Sequence, residues 1–113
     1  MGSKIIKFRA VNKDIFRAIA QGKKKIETRA ATPKYRGIKV GDILVLVCGK
    51  GKIEKEVAKV EFFKTISSIL KKYKPEKINP KIHTKKETTE MWYSFPGYKE
   101  KIKKFGLVAW RLL

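Results

Sequence analysis

The chain has 113 residues, a length that suits one domain with a single core, and its 42% hydrophobic and 11% aromatic content excludes a disordered basic tail. Its longest purely apolar stretch, Ile43 to Cys48, has six residues against the roughly 20 that a membrane-spanning helix requires, and the N-terminus lacks the apolar core of a signal peptide, so a cytoplasmic protein with no membrane partner is expected. The 29 Lys plus Arg exceed the 10 Asp plus Glu to give a net charge of +19, a field whose self-repulsion needs a reason and whose simplest one is a polyanionic partner.

Ile5-Ile6-Lys7-Phe8 reads as a first strand. Asn12 is then placed to cap a helix from Lys13 to Gln21, with Asp14 in its first turn and Val11 set to staple onto Phe16. Ile15, Ala18 and Ile19 fall on one face of that helix, and Gly22 stands where a left-handed C-terminal cap is wanted. Lys23 to Arg29 follows as an extended segment that ends before Pro33 and an Arg36-Gly37 turn.

Gly41-Asp42 opens the unbroken apolar run from Ile43 to Cys48, which predicts a central strand buried on both faces. Gly49 to Lys52 then reads as a hairpin turn into a longer strand from Ile53 to Lys64, whose imperfect alternation predicts a bulge. Thr65 caps a short helix with Ile66, Ile69, Leu70 and Tyr73 on one side, ended by Lys74-Pro75. Thr84-Lys85-Lys86-Glu87 matches a capping box and starts a helix through Trp92 that stops at Pro96-Gly97. Tyr98, Ile102 and Phe105 line a last helix closed by Gly106, and Leu107 to Leu113 is the final strand. With no repeat or linker, residues 1–113 are expected to form one α+β domain, a small, partly closed barrel of about five or more strands with several short helices packed around it.

The charge is uneven. Residues 1–40 hold 12 basic and 2 acidic residues, about half of the excess. Lys-rich hyperthermophilic proteins usually pair their lysines with Glu, and here most lysines have no acid to pair with. Lys outnumbers Arg 24 to 5, which favours diffuse phosphate attraction over bidentate reading of base edges. A single Cys, Cys48, and a single His, His83, can assemble neither a disulfide nor a Cys/His zinc site, and no cofactor is expected. Glu54 and Glu56 share a strand face, yet Lys52 and Lys55 beside them make ion pairing the plainer role. Trp92 and Phe95 continue a helical apolar face, which leaves Tyr98 as the ring free to stack on an unpaired base.

The one constellation with chemical potential is Gly22-x-Lys24-x-x-Glu27-x-Arg29, with Lys23 and Lys25 around it. On an extended segment Lys25, Glu27 and Arg29 share a face, whereas Lys24 stays unassigned because the preceding turn can reorient it. A solvated edge strand guarded by lysines is the commonplace alternative.

That motif after a helix, Val40-Gly41-Asp42 before an apolar strand, and the C-terminal strand resemble the ASCH domain of the PUA-like superfamily over nearly the whole chain. The resemblance implies a PUA-like barrel whose cleft holds Lys24, Glu27 and Arg29, in a family associated with RNA. Family members similar to hydrolases of acylated cytidine use the motif Lys, a Thr three residues later and a distant Glu. Here Glu27 stands at the Thr position, Thr28 follows one step on, and Glu76 is the one acid in the corresponding loop region. An RNA- or nucleotide-binding domain is therefore the leading expectation, without an obligate protein partner. Lys24, Glu27, Arg29, Lys23, Lys25 and Tyr98 would contact the ligand. Hydrolysis of acylated cytidine or RNA by Lys24 and Glu27 is the alternative.

Overall fold

The computed structural model describes residues 2–113. Its elements run in the order β1 (Ser3–Phe8), α1 (Lys13–Ala20), β2 (Ile26–Ala30), α2 (Pro33–Arg36), β3 (Ile43–Cys48), β4 (Gly51–Phe63), α3 (Ile66–Lys72), α4 (Pro75–Ile78), α5 (Lys85–Tyr93), α6 (Tyr98–Phe105) and β5 (Leu107–Leu112). One sheet in the order β1-β3-β4-β5-β2 forms a half-barrel, so β1 and β2 are its two edges. β1 runs parallel to β3 and every other neighbouring pair is antiparallel.

The core is divided by the sheet. On one face Ile6, Leu44, Leu46, Val57, Val108 and Trp110 pack with Ile15, Phe16 and Ile19 of α1. On the other, Ile26, Ala30, Leu107 and Ala109 meet Ile69, Ile78, Trp92 and Ile102 from the later helices. Each of the Val, Leu, Ile and Phe side chains among them stabilises the fold by roughly 1.5–3 kcal/mol when fully buried. β5 alternates between the two clusters, and it is the strand covered on both faces. The sequence assigned that place to β3, whose Leu44, Leu46 and Cys48 are buried but whose Ile43, Val45 and Val47 remain half-buried, because the helices cover β5 and β2 instead.

The bulge expected in the long strand lies between Val57 and Lys59. Thr65 and Thr84 accept hydrogen bonds from the amides of Ser68 and Glu87 as helix caps should. Asn12 does not. A short 3-10 turn, Ala10–Asn12, leads directly into α1, the Asn12 side chain makes no cap, and Val11 is exposed rather than stapled to Phe16. The two four-residue helices α2 and α4 escape a periodicity reading because each is a single turn started by a proline at its first position. Asp42 organises the start of β3, accepting the amides of Lys39 at 2.9 Å and Gly2 at 3.1 Å, while Gly41 adopts φ +93°. Its conspicuous position beside a glycine thus serves the turn. Among the described residues, no helix is long and apolar enough to cross a membrane.

Candidate functional site

The motif is shaped by how α1 ends. Gly22, at φ +76°, lets the Gly22 amide donate to Ile19 O and the Lys23 amide donate to Ala18 O, the paired hydrogen bonds of a Schellman cap. The Lys24 amide also reaches Ala18 O at 3.0 Å, so the chain is still turning at Lys24 and β2 starts only at Ile26. That turn resolves the ambiguity of Lys24. Its side chain is buried with Glu27, whereas Lys25, expected beside Glu27 and Arg29, points to solvent, as does Lys23.

Lys24, Glu27 and Arg29 form one linear ion network. Lys24 Nζ lies 3.2 Å from Glu27 Oε1 and also donates to the carbonyl of Ile26. Arg29 Nε lies 3.0 Å from Glu27 Oε2. Burial raises the Glu27 carboxyl, but Lys24 and Arg29 together outweigh it and hold it below the ordinary carboxylate range. Burial likewise depresses the Lys24 ammonium, and Glu27 offsets this only in part. Arg29 loses solvation too, yet Glu27 keeps it firmly charged.

Arg29 also closes the half-barrel. From β2 it donates to the carbonyl of Lys7 on β1 at 3.2 Å, and its guanidinium stacks 4.9 Å from the Phe8 ring and 6.0 Å from the Tyr35 ring. A cleft of about 320 Å³ opens beside this bridge, with Glu27 and Arg29 on its floor and the rings of Phe8, Tyr35, Phe95 and Tyr98 around them. Lys7, Arg9, Lys34 and Lys101 supply further positive charge to it. Arg9 is held there by stacking 5.4 Å from Phe95, which meets Tyr98 edge to face at 5.1 Å. Glu27 is the one acid on its walls, and it is already neutralised.

Tyr98 is half-buried in this wall instead of standing free in solvent, and burial raises its hydroxyl pKa. Lys24 lies behind Glu27, off the cleft wall. Thr28 faces away from Glu27 and Arg29 as regular alternation demands, yet it still lines the cleft, because the cleft wraps around the β2 edge. The Leu112 amide bonds Lys25 O and the Ala31 amide bonds Gly106 O. Antiparallel alternation therefore aims Glu27 and Arg29 backbone groups at β5 and turns the Thr28 N–H and C=O to the open edge.

Glu76, the acid in the corresponding loop region, lies on α4 and pairs with His83 at 3.2 Å on the surface, away from the cleft. Glu54 and Glu56 are exposed, and the described residues contain no group of three or more His, Cys, Asp or Glu side chains placed to hold a metal ion. Lys7, Phe8, Arg9, Lys34, Tyr35 and Lys101 were not legible as site residues, since segments far apart in sequence bring them together.

The ASCH domain family model matches residues 10–112. The chain belongs to the ASCH domain family. The fold of this ASCH domain is similar to the crystal structure of hypothetical protein PH0355, with a TM-score of 0.84 and 28% identity over 99% of this chain and 97% of that one. It is also similar to the solution NMR structure of protein PF0455 from Pyrococcus furiosus, with a TM-score of 0.75 and 27% identity over 97% and 94% of the two chains. No curated protein matches it.

Proposed function

We propose that this ASCH domain binds RNA or a nucleotide, taking one unpaired nucleotide into the cleft between β1 and β2. The observation that carries the reading is the composition of that cleft: aromatic rings, five free or bridging cations, and one acid whose charge is already cancelled. Rings that stack on bases contribute about 1–3 kcal/mol per base, and lysines around them attract phosphate without demanding a sequence. A volume near 320 Å³ is at the small end of the ligand-pocket range, which suits a nucleoside unit better than a duplex. The Thr28 N–H and C=O, side by side on a strand edge, complement a base edge that pairs an acceptor with a donor.

In this reading Arg29 contacts the ligand directly, while Lys24 acts through Glu27 by holding its carboxylate in place. Lys7, Arg9, Lys34 and Lys101 take the phosphates, Tyr98 stacks, and Lys23 and Lys25 add to the outer field. The test is binding of a labelled single-stranded RNA to Lys34→Ala/Lys101→Ala and to Lys103→Ala/Lys104→Ala, pairs that remove equal charge. The cleft pair is expected to weaken binding about tenfold more than the distal pair. Equal losses would show that diffuse charge suffices and the cleft is not the site.

One observation favours the hydrolase alternative: Lys24 is buried, and loss of solvation depresses its ammonium in the direction a nucleophilic or acid-base amine needs. Against it, Lys24 Nζ is engaged by Ile26 O and Glu27 and reaches the cleft only through that carboxylate. Acylated cytidines offered in the same experiment decide between the two. Turnover abolished by Lys24→Ala, with the variant still folded, would replace binding by catalysis.

A further inference from the structure

We infer that the bound RNA strand leaves the cleft along the segment from Arg9 to Arg17 and is held at a second anion-binding groove formed by Lys13, Arg17 and Lys50. This extends the proposed RNA-binding role of the cleft and rests on it. The groove lies between α1 and the β3–β4 turn, lined by Ala10, Lys13, Phe16, Arg17 and residues 48–51. It adjoins the cleft through the short turn after β1, because Phe8, Arg9 and Asn12 line the one while Ala10 and Lys13 line the other. Arg9, fixed over Phe95, stands at the junction.

Two observations set this groove apart from an ordinary lysine-rich surface. Its three cations are exposed, and no acid is among its lining residues. The adjacent Asp14 pairs with Lys81, and its charge reaches Lys13 and Arg17 only as a weaker, unbonded attraction. Lys13 and Arg17 stand at i and i+4 on α1, a spacing at which like charges destabilise a helix, and the fold adds Lys50 to them. The placement of Lys50 is built in: a Cβ on Gly51 would come within 3.0 Å of Phe16 Cε2 and 3.2 Å of Cys48 O, so the missing side chain lets the turn press onto α1. Gly49, at φ +57°, makes that turn. Such convergence of like charge is unfavourable until an anion arrives between them.

Single-stranded RNA fits better than a membrane surface. Between Arg9 and Arg17 the one large apolar side chain that is exposed is Val11, too little for insertion among lipids. The groove has cations without accessible rings, since Phe16 is buried, whereas the cleft has both. A strand with one base in the cleft and its next phosphates in the groove uses both compositions.

The experiment compares binding of a dinucleotide and of an RNA of about ten nucleotides, within the range one small domain covers. The full chain is used as wild type, as Lys13→Ala/Arg17→Ala/Lys50→Ala, and as Lys71→Ala/Lys86→Ala/Lys103→Ala, a control with equal charge loss. The groove variant is expected to lose about tenfold or more in affinity for the longer RNA and about 2 in its log–log salt slope, yet to bind the dinucleotide within about twofold of wild type. Should the control triple lose as much as the groove triple, or should both RNAs suffer alike, the second groove is overturned. Vesicles containing phosphatidylserine are run in parallel, and loss of vesicle binding without loss of RNA affinity would overturn it in favour of a membrane surface. Circular dichroism verifies folding, and the corresponding triple Gln variant repeats the measurement if the Ala variant is unfolded. Binding by wild type that is lost in Lys34→Ala/Lys101→Ala but untouched in the groove triple removes this inference and leaves the cleft standing. Absence of RNA binding by wild type removes both.

Discussion

Glu27 is a buried carboxylate between two cations, so its replacement is an electrostatic change before it is a functional one. Glu27→Gln leaves Lys24 and Arg29 without their counter-ion in a buried site, and breaking a buried pair in this way costs about 3–5 kcal/mol. Denaturant unfolding is expected to register that loss, and a variant as stable as wild type would mean the network is solvated. Its pH dependence follows from the depressed carboxyl. The stability Glu27 contributes is present above its unfolded pKa near 4.5 and is lost as pH falls from there through the lower folded-state pKa. Asp14, Asp42, Glu61 and Glu76 are also depressed and titrate in both proteins, so the difference between the wild-type and Glu27→Gln stability curves isolates Glu27. That difference is expected to shrink as the pH drops below about 4.5.

The ends of two helices show how differently a glycine can matter. Gly22 closes α1 at φ +76° and has open space where a Cβ would sit, so Gly22→Ala meets only the left-handed backbone cost of about 1–2 kcal/mol. Gly106 joins α6 to β5 at φ +74°, and a Cβ there would lie 2.3 Å from the carbonyl oxygen of Phe63. Backbone strain and collision add, and Gly106→Ala is expected to cost about 3 kcal/mol or more. Urea unfolding of both variants tests the order; equal losses would mean that the α6–β5 junction relaxes freely. Gly22→Ala has the further interest that the cap it loosens sets the turn at Lys24, so it should also speed amide exchange at Lys23 and Lys24.

Across the whole molecule, a net charge of +19 on 113 residues makes the free protein repel itself. Added salt screens exposed charges beyond about 8–10 Å, so two opposite responses are expected from one cause. The melting temperature of the free protein rises with salt, and its affinity for RNA falls, by roughly 0.7 to 0.9 ion released per phosphate neutralised. A flat log–log binding slope would sink the polyanion reading even if the melting temperature behaved as described. The Arg29 bridge to Lys7 O brings the β1 end, with Lys7 and Arg9, to the cleft beside β2.

Local rules sufficed for much of this protein. The helix through Ile15 and Ile19, the glycine that ends it, the bulged long strand, the Thr65 and Thr84 caps and the Gly106 stop are each written in neighbouring residues, as are the excess charge and the Gly22-x-Lys24-x-x-Glu27-x-Arg29 motif. The direction of Lys24 was not, because strand alternation has no meaning until the strand begins, and the Schellman cap delays that beginning to Ile26. Nor was the strand covered on both faces: β3 is as apolar as β5, and which of them lies beneath helices depends on sheet order. The cleft itself belongs to contacts between β1, β2, α2, α5 and α6, elements up to about ninety residues apart. Charge and short-range periodicity travel with the chain, whereas a cavity exists only between segments that folding has brought together.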